Sequence, residues 1–127
     1  MIAFSGVRRT ALPVRVTRLR TAAVTVAGQS IVLCRNPASI VFSICEIAAG
    51  ATLREHKHPF VRYAYVLTGT LRVTNTQTGH SNLYKAGDFI IEAIGQWLQA
   101  VNLDDRPLKL LVIDQQADEK SNVVMRD

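Results

Sequence analysis

The sequence predicts an all-β protein built as a sandwich or barrel, on three observations. Short runs rich in Val, Ile, Thr and Tyr recur along the chain. Gly, Pro, Asn and Asp punctuate them at regular spacing, and no stretch carries the apolar period of a long helix. At 127 residues, 48% of them hydrophobic and 20% charged, the chain is long enough for one packed core and too short for two.

The elements follow in order. Leu12 to Leu19 alternates Val14 and Val16 with Arg15 and Thr17, the period of a half-buried strand. Thr21 to Val26 is rich in β-branched residues, Gly28-Gln29 turns it into Ile31 to Cys34, and Asn36-Pro37 ends that run. Ile40 to Ile47 is the most apolar stretch and short enough for a core strand. The segment from Gly50 to Gly69 reads GATLREHKHPFVRYAYVLTG and is expected to form a hairpin with Leu71 to Thr74 through Thr68-Gly69. The turns Thr78-Gly79 and Ala86-Gly87-Asp88 bound a short strand from Ser81 to Tyr84. Phe89 to Ile94, Trp97 to Val101 and Leu108 to Ile113 complete the set. The organisation read from this is a basic arm over 1–11, a β-barrel over 12–114 and a polar tail over 115–127 that lies over the barrel or a partner.

Charge excludes several functions. Residues 1–45 carry six arginines and no acid, whereas residues 46–127 hold nine Lys/Arg against ten Asp/Glu, so the net charge of +5 comes from the N-terminal third. A nucleic-acid domain would stripe its cations and mix in stacking aromatics or a recognition helix. Here the arginines are scattered beside one aromatic, Phe4, and read as a solvated arm and edge strand. No apolar run approaches the length of a membrane helix. Arg8-Arg9 is followed by Pro13, Arg15, Arg18 and Arg20 rather than by the apolar core of a signal peptide, so the expected compartment is cytoplasmic. Cys34 and Cys45 lie in apolar runs with no C-x-x-C partner and read as buried thiols.

His56 and His58 are one residue apart in an extended run, so both rings face the same space. Two imidazoles on one face are half of a transition-metal site.

These residues resemble the cupins. The first cupin motif, G-x5-H-x-H-x3-E-x6-G, aligns with Gly50, His56, His58, position 62 and Gly69, and Tyr65 to Gly69 is similar to the family's Y-V-L-x-G segment. The second, G-x5-P-x-G-x2-H-x3-N, aligns with Gly87, position 93, Gly95, position 98 and Asn102. The resemblance spans about Val41 to Asp114. It implies a double-stranded β-helix, or jelly-roll barrel, a homodimer, and a metal held by two histidines, a glutamate and a third histidine. This chain departs from that set: Arg62 stands at the glutamate position, Leu98 at the third histidine and Ala93 at the proline. Arginine and leucine offer a metal nothing. No tightly bound cofactor is therefore expected, the alternative being one divalent ion (Fe, Mn, Ni or Zn). Glu92 is either a third ligand beside His56 and His58 or the partner of Arg62 across the barrel; the pair is favoured because an interior cation needs a counter-charge.

Three functions follow. The first is a binding protein that holds a small anionic molecule in the barrel, with Arg62, Tyr63, Glu92 and Trp97 as ligand-binding residues. The second is the metal-dependent dioxygenase, isomerase or decarboxylase that the resemblance implies, using His56 and His58. The third is an interaction module with an inert pocket. His80, in a turn, reads as a surface residue, and no nucleic acid or membrane is an expected partner.

Overall fold

A computed structural model describes residues 14–33, 38–117 and 120–127. Among the described residues nine strands run in chain order: β1 (Ser39–Ile47), β2 (Thr52–Lys57), β3 (Arg62–Thr68), β4 (Thr70–Asn75), β5 (Ser81–Lys85), β6 (Phe89–Ile91), β7 (Leu98–Asn102), β8 (Leu108–Gln116) and β9 (Val124–Met125). They form two antiparallel sheets, ordered β1-β8-β3-β6 and β5-β4-β7-β2-β9. This is the all-β jelly roll that the motifs predict.

Strand parity decides which side chains reach the space between the sheets. Ala64, Val66, Leu110 and Val112 from the first sheet meet Leu71, Val73 and Ala100 from the second, with Ile47, Ile90 and Leu108 closing the core. Cys45 is half-buried against this cluster rather than fully enclosed, and Cys34 lies outside the described residues. Burial pushes the Cys45 thiol above its ordinary range.

Three sequence expectations need correction. The runs between residues 14 and 33 form no ladder strand; among the described residues the only pairing there is the single bridge between Val24 and Ser30. Alternation shows that a segment can sit on a sheet, but a strand needs a partner edge, and both sheets fill their interiors without this segment. The Thr68-Gly69 corner is likewise no hairpin, because β3 and β4 belong to opposite sheets. Gly69 carries the chain across at φ 97°, and a Cβ there would lie 3.0 Å from that of Leu108. The run from Phe89 also ends as strand at Ile91, where Glu92 to Gly95 leaves the ladder. The tail adds β9 to the edge of β2, with His56 opposite Met125 and Lys57 opposite Val124.

Asn102 closes the opposite end of the barrel. Fully buried, it donates through Nδ2 to the carbonyls of Ile47, Ala48 and Arg106 (3.0, 3.2 and 2.8 Å), and its Oδ1 accepts the Asp104 N–H at 2.9 Å. One side chain thus satisfies backbone groups from two connections, the one after β1 and the one between β7 and β8. Asn102→Leu strands those carbonyls and should lower the unfolding free energy by about 3 kcal/mol. Denaturant titration checks this; a loss below about 1 kcal/mol would mean that water replaces the amide.

Candidate metal centre and ligand cavity

His56 ends the inward face of β2, and His58 follows just past the strand, where it bridges to Ile94. The two rings lie 5.0 Å apart, edge to face. Each has one nitrogen occupied by a backbone carbonyl. His56 Nδ1 donates to Arg54 O at 2.7 Å, and His58 Nδ1 donates to Asn122 O at 2.8 Å. A carbonyl only accepts, so both Nδ1 atoms carry a proton, and a singly protonated ring presents its Nε2 lone pair. Burial pushes His56 below the ordinary histidine range, which favours that neutral form.

Glu92 enters the same space from the loop after β6. The ligand atoms of His56, His58 and Glu92 all lie within 4.8 Å of one another, and all three residues are buried. Glu92 Oε2 is 3.5 Å from His58 Nε2, beyond ordinary hydrogen-bond length, and neither His58 Nε2 nor Glu92 Oε1 has a hydrogen-bond partner. Two buried acceptors thus converge on one point with no donor between them. That arrangement is costly unless a cation occupies it. The residues fit a divalent metal, with Nδ1 bonds of the kind that orient metal-binding histidines.

Backbone and side-chain clamps hold the three in register. Glu92 N bonds to Arg62 O at 3.0 Å and Gly95 N to His58 O at 2.7 Å, tying the second-motif loop to the first. Gln29 grips that loop from the far side: its Nε2 donates to Ile94 O and its Oε1 accepts Ile94 N, both at 2.8 Å.

The Arg62–Glu92 pair expected from the sequence is replaced by another. Arg62 is bound in a fork to Asp114, with Nε to Oδ1 at 2.9 Å and Nη2 to Oδ2 at 2.8 Å. β3 and β8 are neighbours and set Arg62 directly opposite Asp114, whereas Glu92 reaches the interior nearer the histidines. Asn122 completes the arrangement. Its Nδ2 donates to Asp114 Oδ1 at 2.9 Å, its Oδ1 accepts Phe60 N at 2.7 Å, and its carbonyl is the one that orients His58.

The other candidates divide. Arg62, His56 and Glu92 border an interior void of about 30 Å3. A wider cavity of about 300 Å3 opens on the other side of Glu92, between an apolar wall of Val73, Ala93 and Leu98 and a polar one of Asn75, Tyr84 and Gln96. Tyr63 and Trp97 line neither. Tyr63 alternates with the inward-facing Arg62 and Ala64, so it projects from the outer face of the sheet. Trp97 lies under Lys57 and Arg126, whose charges sit 4.7 and 5.0 Å from its ring. His80 is exposed, as its turn predicts, but stands at the rim of the wider cavity. Sequence reasoning missed Gln29, Tyr84, Asp114 and Asn122. Only the carboxylate of Asp114, at the end of the last long strand, offered a signal, as a possible counter-charge for an inward arginine.

Comparison with known proteins agrees with this geometry. The family profile described as the cupin domain matches residues 43–114, more than half of the chain. Among solved structures, the Bacillus subtilis oxalate decarboxylase, a protein with Mn(II) centres, is similar at a TM-score of 0.56 and 27% identity over 68% of this chain and 23% of its own. An oxalate oxidase matches at 0.56 and 18% over 68% and 45%. The polyketide cyclase RemF of Streptomyces resistomycificus matches at 0.53 and 17% over 68% and 65%; these last two likenesses concern the fold alone. The chain spans less than a quarter of the length of that decarboxylase. No curated relative matches it. Among the described residues no helix is long and apolar enough to cross a membrane.

Because Arg62 leans on Asp114, Asp114→Ala should destabilise the fold by about 3 kcal/mol, the cost of stranding a partly buried cation. Glu92→Gln should stay within about 1 kcal/mol of wild type. Paired chemical denaturation measures both, and equal losses would mean that Arg62 depends on Glu92 instead.

Proposed function

The chain belongs to the cupin family, and on that premise we propose that it binds one divalent transition metal through His56, His58 and Glu92 and acts on a small molecule in the adjoining cavity. The observation that carries this reading is the convergence of the two buried, unpartnered acceptors, His58 Nε2 and Glu92 Oε1, beside His56. Two imidazoles and one carboxylate with open positions suit iron, manganese, nickel or zinc. Held by these residues, such an ion would supply Lewis acidity for chemistry of the dioxygenase, isomerase or decarboxylase kind.

The remaining work falls to the protein. Asn122 and Arg54 hold the two rings by their Nδ1 protons, and Gln29 fixes the loop that carries Glu92. The apolar residues Ala93 and Leu98 limit water beside the carboxylate. The likeness to a manganese decarboxylase supports an enzyme over an inert module, as does an open cavity beside the candidate ligands. Arg62 lends the binding-protein reading little support as an anion anchor, since both arms of its fork are taken by Asp114.

Elemental analysis of untagged protein tests the reading. Wild type should carry close to one equivalent of metal, and His56→Ala, His58→Ala and Glu92→Gln should each lose most of it. Metal-free wild type that also fails to take up Mn(II), Fe(II), Ni(II) or Zn(II) in equilibrium dialysis would retire the metal site.

The reading extends to a homodimer. The outer face of the β1-β8-β3-β6 sheet exposes Ile40, Phe42 and Ile44 on the edge strand, in line with Leu111, Ile113, Tyr63 and Tyr65. An exposed apolar patch of this kind marks an interface. Light scattering should give twice the 14.0 kDa chain mass, and Phe42→Glu should shift it to the monomer.

A further inference from the structure

The polar wall of the wider cavity beside Glu92 is made of amides and a phenol. Asn75 Oδ1 accepts the N–H groups of Gln77 and Thr78 (3.0 and 3.2 Å), which fixes which end of that amide is oxygen. Its Nδ2 then donates to Gln96 Oε1 at 2.7 Å, which fixes Gln96 in turn and leaves the Gln96 NH2 as the end without a bond. Tyr84 lines the same wall, and burial, followed by the charge of Glu92, pushes its pKa up to about 12. The hydroxyl therefore keeps its proton at any physiological pH.

The charge inventory points the same way. Among the described residues that line the cavity there is no lysine or arginine, and the only carboxylate is Glu92. Arg62 is committed to Asp114, and Lys57 and Arg126 cover Trp97 outside the cavity. Arg20, whose charge acts on Tyr84, lies outside the lining and spends its Nη1 on Phe89 O at 3.2 Å, and His80 stands exposed at the rim. Without an ion on Glu92, a ligand carboxylate would lose its hydration next to that side chain, and no lysine or arginine of the lining answers its charge. A neutral carbonyl oxygen asks only for donors, and the apolar wall of Val73, Ala93 and Leu98 suits a hydrocarbon flank.

We infer that this cavity takes an uncharged carbonyl compound with an apolar side, its oxygen read by the Gln96 amide and the Tyr84 hydroxyl, and that it discriminates against carboxylates. This rests on the proposed use of the cavity for a small molecule, but not on the metal.

The test uses benzamide and benzoate, two probes of nearly the same shape that differ in charge, titrated into the full-length chain after chelator treatment. Amide resonances of Ala93 and Leu98 and the Gln96 side-chain NH2 signals report binding in the cavity. Benzamide should bind about tenfold or more tightly than benzoate. Tyr84→Phe should weaken benzamide severalfold, and Thr78→Lys, which sets a cation at the rim, should narrow the preference. Benzoate binding as tightly as benzamide, or neither probe shifting these resonances, would overturn the inference. Because the protein is metal-free throughout, the titration stands apart from metal analysis: selective benzamide binding in a chain that takes up no metal would sink the metal centre and leave the ligand class intact.

Discussion

A guanidinium on the inward face of a narrow β-barrel must be matched by a carboxylate, and the partner that Arg62 finds decides the character of the whole interior. Asp114 lies directly opposite on the neighbouring strand and takes both arms of the fork. The pair neutralises the cation inside the first sheet and frees Glu92 to face the histidines. Had Arg62 closed on Glu92 instead, the three-residue cluster would be two imidazoles beside a salt bridge, with nothing left to bind an ion. The same carboxylate also accepts from Asn122, so one charge pair links β3, β8 and the C-terminal segment.

The candidate metal centre is held from several parts of the chain. Gln29, far before the motifs, clamps the loop that carries Glu92; Asn122, near the C-terminus, clamps the ring of His58; β9 pairs alongside His56. Each contact fixes a direction as well as a distance. Both histidines lose the choice of tautomer, and both direct a lone pair toward a carboxylate that cannot donate while ionised. The outcome is a preorganised set of acceptors that face one another. The polar wall of the adjoining cavity follows the same logic with amides: backbone N–H groups orient Asn75, and Asn75 orients Gln96.

Departures from the cupin pattern fall together. The motif glutamate is replaced by Arg62, the motif histidine by Leu98, and the compensating acid comes from Glu92. Leu98 turns the third-histidine position into part of the cavity's apolar wall, which lowers the polarity around the carboxylate. A cationic anchor for anions is removed by the same interaction that frees Glu92, so the proposed metal-ligand set and the inferred ligand preference both depend on one pairing.

The sequence by itself determined the fold and half of the site. Glycine-bounded short strands, two motifs at their proper separation and the i, i+2 spacing of His56 and His58 all act locally, through turn geometry and strand parity, and local signals survive in a linear reading. Tyr63 and Trp97 line neither cavity, and composition marks an aromatic as useful without saying which face of the sheet it takes. The strands expected between residues 14 and 33 failed for a related reason: alternation describes a surface, whereas a strand exists only where a neighbour offers hydrogen bonds. Tertiary structure alone decided that Gly69 carries the chain between sheets, that Asp114 rather than Glu92 answers Arg62, and that Gln29, Tyr84 and Asn122 reach the site. Those choices depend on which strands lie side by side across 50 or more residues of chain, as in the Arg62–Asp114 bond at a separation of 52. No local propensity encodes such a neighbour; the closure of the barrel does.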